Sequence, residues 1–183
     1  MTDYFALLEQ PRAPWLDPEA LKEVFRHKTL EQHPDTSASF SSNAFAELNE
    51  AYQVLQDPKR RLQHLLELQG SPPSRTAASV PSELQELFLR IGASNQQARL
   101  LLERIRGQSS ALERSLLKPR LLEVQQAIEN LRREIRDLTE TANRELKNIG
   151  PAQVDKISRL HSTFAYLGRW TEQLDEVAFQ LSL

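Results

Sequence analysis

Apolar residues recur every three or four positions through most of this chain, a spacing that predicts helices. Tyr4, Phe5, Leu7 and Leu8 make a short apolar turn, broken by Gln10-Pro11-Arg12-Ala13-Pro14. Asp17-Pro18-Glu19 starts a second helix: aspartate as N-cap, proline at the first helical position and an acid in the first turn. That helix carries Leu21, Val24 and Phe25 on one face and ends near Gln32. Ser42-Asn43 is a candidate cap for a third, with Phe45, Leu48, Tyr52 and Leu55 at helical spacing. Asp57-Pro58 opens a fourth, with Leu62, Leu65, Leu66 and Leu68, closed by Gly70 as a C-cap.

Residues 71–82 hold three prolines and small polar side chains with no period, which reads as a linker. Beyond it the helical pattern resumes. Leu84, Leu87, Ile91, Ala98, Leu101 and Ile105 form one stripe. Residues 109–117 read as a short helix or a continuation, and Lys118-Pro119 predicts a break or kink. Leu121, Val124, Ile128, Leu131, Ile135, Leu138 and Ala142 then alternate steps of three and four, the a/d repeat of a packing seam. Asn148-Ile149-Gly150-Pro151 ends it, and Ile157 to Leu181 repeats the scheme. Three seams of similar length joined by short turns predict an antiparallel three-helix bundle.

The expected architecture is therefore all-α. Residues 1–70 form a helical unit whose two long helices make an antiparallel hairpin, 71–82 a linker, and 83–183 the bundle. The tip of the hairpin is His33-Pro34-Asp35. Pro34 fixes its own φ and drives His33 out of the helical region, so a helix arriving there ends and presents His33 and Asp35 on a short stiff loop.

Charge and composition narrow the function. The formal net charge is −2, which lacks the basic excess of a general nucleic-acid or anionic-membrane binder. No cysteine is present, so disulfides, thiolate metal sites and cysteine nucleophiles are excluded. His27, His33, His64 and His161 show no metal-ligand spacing, and no metal or other cofactor is expected. No phosphate-cradling glycine loop, nucleophile elbow or convergent carboxylate pair is present, so the chain is not expected to be an enzyme. The first residues show no leader-like pattern and no apolar run reaches the ~20 residues of a membrane span; a cytoplasmic protein is expected.

One set of residues is more specific. Asp3-Tyr4-Phe5-x-Leu7-Leu8, Leu21-Lys22-x-Val24-Phe25-Arg26, His33-Pro34-Asp35 and Phe45-x-x-Leu48-Asn49-x-Ala51-Tyr52-x-x-Leu55-x-Asp57-Pro58-x-x-Arg61 together resemble the J-domain of DnaJ-type co-chaperones in order and spacing. The ending Leu65-Leu66-Glu67-Leu68-Gln69-Gly70, the chain length and the helical second half resemble the HscB group of iron–sulfur co-chaperones. The resemblance implies docking on an ATP-bound DnaK- or HscA-type chaperone and stimulation of its hydrolysis. His33, Pro34 and Asp35 would form the contact, and Lys22, Arg26 and Lys28 would steer the helix to an acidic surface. It implies a client surface on the first bundle helix for the iron–sulfur scaffold protein IscU, here Phe88 and Leu89. The protein is expected to be a monomer or to self-associate weakly.

The chain departs from the family pattern in places. Gln32 stands where an aromatic is usual, and Lys28 where a leucine is usual five residues before His33. From Glu83 to Arg120 seven bases face four acids, a net +3 where the HscB client surface is acidic. Two other readings stay open: a J-domain co-chaperone for a different client, and a coiled-coil scaffold with a vestigial J-domain.

Overall fold

The structure is a computed structural model and describes residues 2–31, 42–73, 80–107 and 110–182. Most of these residues are helical: α1 (Tyr4–Leu7), α2 (Pro18–Glu31), α3 (Ser42–Gln56), α4 (Pro58–Leu68), a single 3-10 turn (Ser82–Leu84), α5 (Gln85–Arg106), α6 (Ala111–Leu146) and α7 (Val154–Ser182). Helix starts follow the sequence closely. Aspartate carboxylates accept from the free N–H groups of the first turn: Asp3 from Phe5 and Ala6, Asp17 from Glu19 and Ala20, Asp57 from Arg60. Gly70 closes α4 as expected, at φ +71, with its N–H on the Glu67 carbonyl and that of Ser71 on Leu66. The same closure ends α1, but its left-handed position, φ +52, is held by Glu9.

The chain forms two compact units, Met1–Ala77 with Ala142–Ser162, and Ala78–Thr141 with Thr163–Leu183. In the first, α3 lies against α1, α2 and α4. Phe5, Leu8, Leu21, Leu48, Leu55, Leu62, Leu65 and Leu66 are buried, and so are Ala142, Leu146, Ile157 and Leu160 from the ends of α6 and α7. Polar contacts join these segments: Gln69 Nε2 donates to the Pro151 carbonyl at 2.8 Å, and the Lys147 ammonium sits 4.9 Å from the Trp15 ring centre.

The second unit has one core. Leu84, Leu87, Ile91, Ala98 and Leu101 of the 3-10 turn and α5 meet Val124, Ile128, Leu131 and Ile135 of α6 and Leu167, Trp170, Leu174 and Leu181 of α7. Arg132 pairs with Asp175, and Gln125 donates to the Leu181 carbonyl, so α6 and α7 run antiparallel. The helices are not of similar length: α5 has 22 residues, α6 36 and α7 29. At ~1.5 Å per residue α5 cannot cover the whole of its neighbours. The surplus apolar residues of α6 and α7 are those buried in the first unit.

The break expected at Lys118-Pro119 does not occur; α6 runs through Pro119. Proline removes one hydrogen bond, to the Ser115 carbonyl, but Ser115 and Pro119 are both exposed, where water replaces it. The seam formed by Leu117, Leu121 and Val124 continues past the proline and holds the helix on its inner face.

Candidate functional site

His33, Pro34 and Asp35 lie outside the described residues. What the structure shows is the helix that leads to them. Leu21 is buried under α2, and Phe25 stacks on Tyr52 of α3 with ring centres 4.2 Å apart and planes 16° from parallel. That contact orients α2 and turns Lys22 and Arg26 to solvent.

The three cations do not share a face. At ~100° per residue, Lys28 lies on the stripe of Leu21 and Phe25, roughly 120° to 160° around the helix from Lys22 and Arg26. Its side chain keeps only 21% of its exposure, and Nζ donates to Glu9 Oε1 at 2.6 Å. A lysine in a leucine's place thus buries its stem and sends its charge to the edge. Arg26 pairs with Glu23 at 2.9 Å, both exposed. Lys22 has no ion-pair partner among the described residues. Hydrogen bonding to Lys28 holds the Glu9 carboxyl below its ordinary pKa.

Two buried polar side chains fix the segments around this helix. Arg61 is 5% exposed; its Nε donates to the Pro14 carbonyl at 2.8 Å and its Nη1 to the Leu55 carbonyl at 2.5 Å. Burial pulls its pKa down to about 10, against the Asp57 charge, which raises it. Arg61 therefore joins the end of α3 to the loop that enters α2. His64 Nε2 accepts from the Tyr4 N–H at 3.1 Å, and its ring stacks with Tyr4 and Phe5. The motif spacing singles out Arg61, but nothing local in the sequence marks His64 as a backbone acceptor sixty residues away.

On α5, Phe88 and Leu89 fall off the core stripe. Phe88 is 47% exposed and stacks on Trp170 of α7, ring centres 6.2 Å apart. Leu89 is 68% exposed. Leu100 lies three turns further along the same outer face and is 58% exposed; its i, i+11 relation to Leu89 is readable in the sequence. Between them Arg90 makes a bidentate pair with Glu134, at 2.9 and 2.7 Å, which removes one base from the free charge of this surface.

Among the described residues no helix is long and apolar enough to cross a membrane. Residues 3–64 match the family model of the DnaJ domain. Over 62 residues the chain is 40% identical to the chaperone protein DnaJ of Ureaplasma parvum, covering 34% of this chain and 16% of that protein. It is 39% identical over 75 residues to a co-chaperone protein HscB homolog of Vibrio cholerae, covering 37% of this chain and 44% of that protein. The aligned part thus spans about a sixth of the DnaJ and under half of the HscB homolog. In three dimensions the chaperone HscB from Vibrio cholerae matches with a TM-score of 0.53 at 21% identity, covering 98% of this chain and 99% of that one. The human co-chaperone HscB matches with a TM-score of 0.57 at 17% identity, covering 96% and 82%. Residues 3–64 are thus similar to the DnaJ domain, and the fold is similar to that of the two HscB structures.

Proposed function

From a DnaJ domain carried on an HscB-like fold, we propose that this protein is a cytoplasmic co-chaperone that stimulates the ATPase of a DnaK- or HscA-type chaperone and brings it a client. The observation that carries the reading is the coincidence, in one chain, of the DnaJ-domain match over residues 3–64 with the HscB-like fold over 98% of the length.

The chemistry of each residue follows. Lys22 and Arg26 give α2 an exposed positive edge that raises the rate of encounter with an acidic surface more than the final affinity. Asp35 offers a carboxylate to a chaperone arginine, His33 a hydrogen-bonding ring, and Pro34 limits the freedom of both. Such a contact speeds hydrolysis only if it binds the hydrolysis-competent state of the chaperone better than the resting one. The protein itself performs no bond chemistry.

Phe88 and Leu89 form the apolar part of the client surface. An iron–sulfur scaffold protein of the IscU kind is the client the HscB-like fold favours. The net +3 over residues 83–120 favours a second reading, a client with acidic flanks in place of that scaffold.

The test is single-turnover ATP hydrolysis by a DnaK-type chaperone with the parent protein and with His33→Gln. Stimulation by the parent and its loss in the variant, with unchanged helicity and melting, supports the reading. Equal stimulation by both ends it.

A further inference from the structure

Past Ile91 the helix α5 has little to hold it in place. Of residues 92–100 only Ala98 is buried. Asn95, four residues after Ile91 and three before Ala98, takes the core position between them. Neither polar atom of its side-chain amide has a hydrogen-bond partner among the described residues, and both are shut off from water. An amide desolvated without a partner opposes the packing that buries it. The facing helices are filled differently: α6 contributes Val124, Ile128, Leu131 and Ile135, and α7 contributes Leu167, Trp170 and Leu174.

Polar contacts divide α5 at the same place. Arg90 ties the first half to Glu134 of α6 through two hydrogen bonds. Among the described residues no side-chain hydrogen bond or ion pair joins residues 92–106 to α6 or α7, and the Arg99–Glu103 pair lies within α5 itself. A cleft of ≈ 330 Å³ runs between this half and α7, with Asn95, Ala98 and Leu102 on one wall and Gln173, Val177 and Gln180 on the other. Gly92 stands at the junction, inside a helix that glycine weakens, and a methyl group added there meets open space.

We propose that the second half of α5, from Gly92 to Arg106, opens away from α7 as one unit while the first half stays packed. Opening hands the Asn95 amide to water and uncovers Leu101 and Leu102. Few buried apolar contacts and an unpaired core amide are what give a segment a low-energy local opening. Phe88 and Leu89 remain on the half that stays, and the proposal does not depend on the docking of an ATPase.

Native-state hydrogen exchange of the full chain in low urea reads the opening amide by amide. Amides from Gln96 to Leu102 are expected to exchange with one common urea dependence, at least about a hundredfold faster than those from Ile128 to Ile135. Gly92→Ala is expected to slow them about two- to fivefold. Asn95→Leu removes the amide and fills space, whereas Asn95→Ala only removes the amide. At least one of the two is expected to slow exchange by about tenfold or more. Exchange as slow as that of α6 overturns the proposal. So does a steady gradient of rates inward from Arg106, which is fraying of the helix end, or failure of both Asn95 variants to slow exchange.

Discussion

The backbone N–H of Tyr4 donates to Nε2 of His64 across sixty residues of chain, at 3.1 Å. The bond requires the neutral ring with its proton on Nδ1, and burial already holds the His64 pKa below its ordinary value. Asp3 and Glu67 oppose that shift and Arg12 adds to it. His161 is shifted the same way, by burial and then by Lys59, against Glu67. A lowered folded-state pKa means the unfolded chain takes up protons first on acidification. Stability from these groups is complete above about pH 6.5 and is lost as pH falls from there toward the folded-state values. Urea unfolding at pH 7.5 and 5.5 checks this. The parent is expected to lose stability at the lower pH, and His64→Gln, which accepts without titrating, to lose less. An equal loss in both would remove His64 from the account.

Arg61 is the other buried connector. Arg61→Met keeps the aliphatic stem but leaves the Pro14 and Leu55 carbonyls without their donors. The cost is expected to be about 2–4 kcal/mol, seen as a lower urea midpoint with an unchanged slope. A cost under about 0.5 kcal/mol would show that water serves these carbonyls equally well.

Glu9 combines an unfavourable backbone with a favourable side chain. Its φ of +52 suits glycine, yet its carboxylate holds Lys28 beside the proposed docking helix. Glu9→Gln keeps the backbone and removes the charge. Association with the chaperone at low salt is expected to quicken by about two- to threefold, and the gain to vanish at high salt. Stability should change little, because the pair is exposed on the Glu9 side. An unaltered association rate would leave Glu9 a local structural contact only.

Phe88 and Leu89 separate packing from binding. Phe88→Ala removes a ring that rests on Trp170, at an expected cost of about 1 kcal/mol in stability. Leu89→Ser is expected to cost under about 0.5 kcal/mol, since that side chain is 68% exposed. Both are expected to weaken capture of the scaffold client by about tenfold, measured by titration calorimetry. Full client binding by Leu89→Ser would take that residue off the client surface.

The sequence by itself determined where α2 and α4 begin, because an aspartate one residue before the first turn meets its own local N–H groups whatever the rest of the fold does. It determined the core stripes of α5, α6 and α7 for a similar reason: helical period alone puts Leu87, Ile91 and Leu101 on one line. The DnaJ-like pattern was legible through its fixed spacings. Of the break or kink expected at Pro119, the break does not occur, because a proline's effect depends on whether its side of the helix faces water, and that is a property of packing. Only the tertiary structure decided that Lys28 pairs with Glu9, that Phe88 stacks on Trp170, and that Ala142, Leu146, Ile157 and Leu160 are buried with the N-terminal helices. Each of these joins residues far apart in the chain, and local spacing carries no record of which distant surface a side chain will meet.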